Sequence, residues 1–99
     1  MNFQISQDAD RCTVFLTGEI DLERSPAARK SLLDAVKRGK PVSVDLSGVS
    51  YMDSSGIASL IEAYQKAQAA KIEFTLERVG ASVAKVLSLA RLDKVFTIR

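Results

Sequence analysis

Segments with the pattern of β-strands alternate with segments with the pattern of helices along most of the chain. Five short stretches are rich in strand-forming residues or alternate apolar and polar side chains, namely 3–6, 12–17, 41–46, 72–77 and 95–98. Three longer stretches repeat apolar residues at steps of three and four, which is typical of amphipathic helices. The order β-β-α-β-α-β-α-β predicts βαβ crossovers. It therefore indicates an α/β fold with a mixed, mostly parallel sheet of about four or five strands packed with about three or four helices.

Residues that favour turns and helix ends mark the boundaries between these segments. Gly18 is expected to end the second strand, and Gly39 is expected to end the first helix. Ser25-Pro26 predicts the start of that helix, with the serine as N-cap and the proline at the first helical position. Ser82 is expected to cap the third helix in the same way.

Length and charge limit the classes of protein that the chain can represent. With 99 residues, it is expected to form a single domain over 1–99. The net charge is +2 and no block of Lys and Arg reaches five residues, which argues against nucleic acid as a partner. No apolar run approaches the roughly 18 residues of a membrane span. The N-terminus also lacks a signal pattern, so we expect a soluble cytoplasmic protein without membrane insertion.

The residues on which most enzymes depend are missing from the sequence. There is no histidine, which removes the commonest general base and the commonest metal ligand. The single cysteine, Cys12, can build neither a zinc site nor an intrachain disulfide, and its apolar surroundings in the sequence predict a buried side chain. No glycine-rich phosphate loop occurs. We therefore expect a protein that is not an enzyme and that has no metal site or cofactor of its own.

One polar segment, Asp53-Ser54-Ser55-Gly56, comes directly before the second helical pattern. In the simplest interpretation Asp53 or Ser54 is the N-cap of that helix. One polar cap suffices for a helix, however, and Gly56 in the first turn costs about 1 kcal/mol relative to alanine. Two further interpretations are a docking site for a partner and a phosphorylation switch. A helix N-terminus tolerates the roughly −2 charge of a phosphate, so such a switch leaves the fold intact.

Three segments of the sequence, taken in chain order, resemble the STAS domain of bacterial anti-sigma factor antagonists. They are LTGEID at 16–21, VDLSGVSYMDSSG at 44–56 and LDKVFTI at 92–98. The resemblance covers nearly the whole chain, and its most specific part is DSSG with the preceding VDLS. It implies the STAS fold, in which a β-sheet packs against helices on one side.

The resemblance also implies a function and a modified residue. Antagonists of this family bind an anti-sigma factor that is also a serine kinase, and the sigma factor is thereby released. The kinase, to which the ATP belongs, then phosphorylates the serine that follows the aspartate of the motif, and a phosphatase reverses the step. In this chain that serine is Ser54, with Asp53 as its acidic neighbour, and Ser55 and Gly56 shape the helix start.

Gly18, Glu19 and Asp21 match a second part of the family pattern, which lies near the partner surface in this fold. Asp21 is the residue that we expect to make a polar contact with the partner. For Glu19 and Asp21 a role in the turn and helix cap is the alternative. The resemblance therefore predicts a partner-binding site made of Glu19, Asp21, Asp53, Ser54, Ser55 and Gly56.

A second function is compatible with the same resemblance. Similar single STAS domains serve as small subunits of ABC-type lipid transporters, where they bind the ATPase subunit. The motif there often has threonine and glycine at the positions of Ser54 and Ser55. The serine at position 54 therefore favours the phosphorylation switch, and a subunit that stabilises a transport ATPase is the alternative.

Overall fold

The computed structural model of the protein describes residues 3–99. In chain order its elements are β1 (Gln4–Gln7), β2 (Cys12–Ile20), α1 (Ser25–Lys37), β3 (Val42–Met52), α2 (Ser54–Ala69), β4 (Phe74–Glu77), α3 (Ala81–Leu89), a 3₁₀ turn (Leu92–Lys94) and β5 (Thr97–Ile98). The strands lie in the order β1-β2-β3-β4-β5, with β1 antiparallel to β2 and every later pair parallel. The predicted α/β fold with a mixed, mostly parallel sheet is confirmed.

The two faces of the sheet differ in polarity. On one face, the residues that pair across the three central strands are buried and apolar: Val14, Val44 and Leu76. On the other face, the neighbouring row is polar and consists of Thr13, Ser43 and Thr75. Right-handed crossovers between successive neighbouring strands place their helices on one side of a sheet. The apolar rows of the sheet and the inward side chains of the helices accordingly form one core.

The two central strands extend further than the sequence predicts. β2 continues through Gly18, which has a φ of +78°, and β3 continues through Gly48 to Met52. The two extensions pair with each other up to Ile20 and Met52. The register of this pairing shifts twice along β2, once just before Thr17 and once just after Gly18. The predicted strand ends at residues 17 and 46 are therefore wrong. Glycine weakens a strand and often marks its end, whereas here it lies within a bulged parallel ladder.

The predicted serine caps are also wrong, because α1 begins at Ser25 itself and α3 begins at Ala81, one residue before Ser82. The N-caps of α1 and α3 are Arg24 and Gly80, and neither cap uses a side-chain hydrogen bond. Ser25 is the first helical residue, and its N–H donates to the carbonyl of Asp21 at 2.8 Å. The end of α1 agrees with the prediction, because Gly39 follows the helix with a φ of +78°.

Two smaller expectations concern the core and the chain end. Cys12 is fully buried, as predicted, and burial raises the pKa of its thiol. The predicted last strand at 95–98 is a two-residue strand anchored by Phe96, whose ring packs edge-on against Tyr64 at 5.1 Å between centroids. No helix within residues 3–99 combines the length and apolar composition that crossing a bilayer requires.

Candidate functional site

The ends of β2 and β3 and the start of α2 meet at one edge of the sheet. Ile20 and Met52 are the last residues of their strands and pair with each other, beyond the point where β4 stops pairing with β3. The chain turns into α2 directly after Met52, and the N–H of Asp53 donates to the carbonyl of Ile20 at 3.2 Å. The polar segment at 53–56 therefore lies beside the loop that follows β2, as the resemblance predicts for the two motif segments.

Asp53 is the N-cap of α2 and holds the helix start in place. One of its carboxylate oxygens accepts hydrogen bonds from the backbone N–H groups of Ser55 at 2.9 Å and Gly56 at 3.2 Å. The same oxygen accepts the hydroxyl of Ser55. The Ser55 hydroxyl, together with the N–H groups of Gly56, Ser55 and Leu22, holds the pKa of Asp53 below its usual value. The carboxylate thus joins the start of α2 to the loop after β2.

The two adjacent serines have different environments. Ser55 is partly buried, and its hydroxyl is engaged by Asp53. Ser54 is the first residue of α2, its side chain is exposed, and its hydroxyl makes no hydrogen bond to any part of residues 3–99. A reagent that approaches this edge of the sheet therefore meets a free hydroxyl at Ser54, whereas the hydroxyl of Ser55 must first leave Asp53.

Gly56 is buried and packs against the strand ends. A Cβ at this position would lie 2.6 Å from Cγ of Met52 and 2.8 Å from the carbonyl oxygen of Ile20. The close approach that requires a glycine is therefore made by the protein's own strands. Gly56 is buried, so its part in the predicted site is to set the position of α2.

Asp21 and Glu19 lie at the same edge of the sheet but have different surroundings. The carboxylate of Asp21 accepts the backbone N–H groups of Glu23 and Arg24, both at 3.1 Å, and so forms the turn that leads into α1. This is the turn-and-cap role that the sequence left open. Glu19 is exposed near the end of β2. With the exposed Glu23 and with Asp53, these residues make the edge acidic.

Two exposed apolar side chains border the site and were missed by the sequence analysis. Leu22, in the loop after β2, is 77% exposed, and Tyr51, near the end of β3, is 50% exposed. Leu22 lies next to Asp53, because its backbone N–H is one of the groups that lower the pKa of the Asp53 carboxyl. Tyr51 lies in a segment that matches the family pattern and Leu22 directly follows one, but a single sequence does not show that their side chains face solvent. Exposed apolar groups beside polar ones are typical of protein interfaces.

The starts of α1 and α2 are fixed to each other by side chains. Arg29 donates to both carboxylate oxygens of Glu62 at 2.9 and 2.7 Å, which raises the pKa of the guanidinium and lowers the pKa of the carboxyl. The hydroxyl of Ser59 donates to the carbonyl of Ser25 at 3.3 Å. The helix that carries Ser54 and the loop that carries Leu22 are thus held in one arrangement.

The residues at this edge of the sheet can bind another protein, and the exposed hydroxyl of Ser54 can accept a transferred chemical group. Within residues 3–99 no three His, Cys, Asp or Glu side chains are grouped so that they could hold a metal ion. The exposed hydroxyl, the helix start and the bordering apolar groups instead form a surface that another protein can contact and modify.

Comparisons with known proteins agree with this geometry. The family described as STAS domain matches residues 2–99. An anti-sigma-B factor antagonist of Listeria monocytogenes is 28% identical over 103 residues, which cover 100% of this chain and 90% of that protein. The crystal structure of an anti-sigma factor antagonist from Mycobacterium paratuberculosis has a TM-score of 0.88 at 26% identity, covering 98% of this chain and 83% of that one. The phosphorylated form of the Bacillus cell fate determinant SpoIIAA shares the fold, with a TM-score of 0.75 at 20% identity and coverage of 98% and 90%.

We expect Gly56→Ala to destabilise the protein by about 1–3 kcal/mol, because the new methyl group overlaps Met52 and the backbone of Ile20. Urea unfolding followed by circular dichroism measures the change. The matched control is Gly80→Ala, since a Cβ there meets nothing within 4 Å and φ is −73°. Equal stability of the two variants would show that the close approach at Gly56 is unimportant.

The pKa of Asp53 also predicts a pH dependence. Because the carboxyl is more acidic in the folded protein than in the unfolded chain, its contribution to stability is present above the unfolded pKa near 3.8 and is lost as the pH falls through the lower folded value. Asp53→Asn keeps a good N-cap but does not titrate. The melting temperature of the wild type should therefore fall more steeply than that of Asp53→Asn below about pH 4. Parallel curves down to about pH 2.5 would contradict this assignment.

Proposed function

Because the chain belongs to the STAS domain family, we propose that it is an anti-sigma factor antagonist whose binding is switched by phosphorylation of Ser54. In this proposal it binds an anti-sigma factor, and so releases the sigma factor that the anti-sigma factor held. Relatives that carry the name anti-sigma-B factor antagonist, and a related structure solved in a phosphorylated form, support the proposal.

The observation that carries the proposal is the difference between the two serines. The hydroxyl of Ser54 is exposed and unengaged within the described chain, and it lies at the first position of a helix. Ser55 has its hydroxyl held by the carboxylate of Asp53. A kinase bound at this edge can therefore reach Ser54 without first breaking a hydrogen bond within the protein. This favours Ser54 as the acceptor.

The physical effect of a phosphate at Ser54 is electrostatic. It adds roughly −1.5 to −2 charges at neutral pH, next to Asp53 and at the edge of the sheet where Asp21 and Glu19 also lie. The free N–H groups and the dipole of α2 accommodate this charge, so the fold is retained. A partner that buries Leu22 and Tyr51 must bring the new charge into its interface, which costs far more than burying a hydroxyl. Phosphorylation therefore releases the partner.

In the proposed cycle of phosphorylation and dephosphorylation, the role of this chain is to bind the anti-sigma factor. We propose that the anti-sigma factor is itself the serine kinase and supplies the ATP, and that a phosphatase restores the hydroxyl. Glu19, Asp21, Asp53 and Ser54 form the polar part of the contact, and Ser55 and Gly56 keep the helix start in position. The side chain of Asp21 also shapes the loop, since one of its carboxylate oxygens accepts two backbone N–H groups while the other is left for the partner.

We expect the cognate anti-sigma kinase and ATP to add one phosphate to the wild type and to Ser55→Ala, but none to Ser54→Ala. Intact-mass spectrometry and peptide mapping measure the modification. The phosphorylated protein should bind the kinase more weakly while its melting temperature stays within a few degrees of the unmodified value. Labelling of Ser54→Ala to the wild-type extent would overturn the assignment of the acceptor.

Leu22→Ala should weaken binding of the anti-sigma factor by about 1–2 kcal/mol, because a leucine buried in the interface loses its contact area. Isothermal titration calorimetry measures the affinity. Leu89→Ala is the matched control, since Leu89 is also 77% exposed but lies at the end of α3. If both variants bind like the wild type, the partner does not cover Leu22.

Capture of a transport ATPase, with Ser54 unmodified, would instead favour the role of a transporter subunit.

A further inference from the structure

A groove lies between the ends of α1 and α2, at the edge of the sheet opposite Ser54. Its volume is about 490 Å³, and its walls are formed mainly by aliphatic side chains, including Leu33, Val36 and Ile72. The first two belong to α1, and Ile72 lies in the connection from α2 to β4. A cleft of this size with apolar walls and few polar groups has the character of a small-molecule site.

Two lysines flank the groove. Lys37 is the last residue of α1, and Lys66 lies in the last turn of α2. Within residues 3–99 neither ammonium group forms an ion pair. Glu62, one turn before Lys66, already accepts hydrogen bonds from two of the three guanidinium nitrogens of Arg29. Cations at helix ends complement the helix dipoles, but that effect does not require an apolar cleft between them.

The apolar walls of the groove and its two lysines together indicate which class of ligand the groove can bind. Two ammonium groups beside an aliphatic cleft complement a molecule with an apolar body and an anionic head. None of the residues lining the groove is aromatic, so no side chain is available to stack a nucleobase. A second copy of the chain would bring its own lysines against these two, which is unfavourable.

We propose that this groove binds a medium-chain carboxylate, with the alkyl chain against Leu33, Val36 and Ile72 and the carboxylate between Lys37 and Lys66. The inference is independent of the proposed function, because it rests on a different edge of the molecule.

The test is a titration of the ¹⁵N-labelled protein with dodecanoate, kept below the concentration at which the probe aggregates. We expect saturable changes in amide chemical shift at Ala70 and Ile72 and none at Ser54 and Ser55. Dodecanol, which has the same chain without the charge, should bind at least about threefold more weakly. Raising the salt concentration should reduce that difference.

Two sets of variants, each with its own control, test the site itself. Ala70→Phe fills the groove and should abolish the shifts, whereas Ala69→Phe, at the neighbouring exposed position outside the groove, should leave them unchanged. Lys37→Gln and Lys66→Gln should each weaken dodecanoate binding by about two- to fivefold. Lys85→Gln, with the same loss of charge on α3, should not. Three results would overturn the proposal. They are chemical shift changes that do not saturate with dodecanoate, dodecanol binding as tightly as dodecanoate, and groove variants that bind dodecanoate as tightly as their control variants do.

Discussion

The parallel pairing of β2 with β3 is the constraint on which the rest of the structure depends. The two strands continue together past the end of β4, so Ile20 and Met52 finish side by side. Their ends bring the loop after β2 next to the start of α2, where the carboxylate of Asp53 caps the helix and its N–H donates to the carbonyl of Ile20. A site whose parts are some 30 residues apart in the chain is thus assembled by one strand pair.

Much of this arrangement could be predicted from the sequence, and the failures have physical causes. Apolar periodicity indicated the order of elements and the sheet, because burial on one face imposes it. The strand ends were misplaced because Gly18 was expected to end the second strand and the third was expected to end at residue 46, whereas long-range pairing carries both strands on to Ile20 and Met52. Asp53 and Ser54 were predicted as site residues. The difference between Ser54 and Ser55 depends on which hydroxyl reaches Asp53, and side-chain geometry alone decides that.

The charged side chains at the two ends of the helices complement the helix dipoles. The acidic residues near Ser54 lie where α2 begins, and Lys37 and Lys66 lie in the last turns of α1 and α2. Each arrangement is favourable for the helix concerned. The two edges consequently present side chains of opposite charge: carboxylates at the edge that carries Ser54, and two ammonium groups beside the groove at the opposite edge. Contacts at one edge leave the other accessible.

The free hydroxyl of Ser54 also bears on how such a molecule can carry information. Because that hydroxyl has no bonding role within the described chain, the modified and unmodified forms of the proposed switch share one fold and one set of cleavable segments. When no partner is bound, cellular proteases, which act on locally opened chains, would then remove both forms at similar rates. The signal would therefore reside in the ratio of the two forms, and the total abundance could be set independently by synthesis.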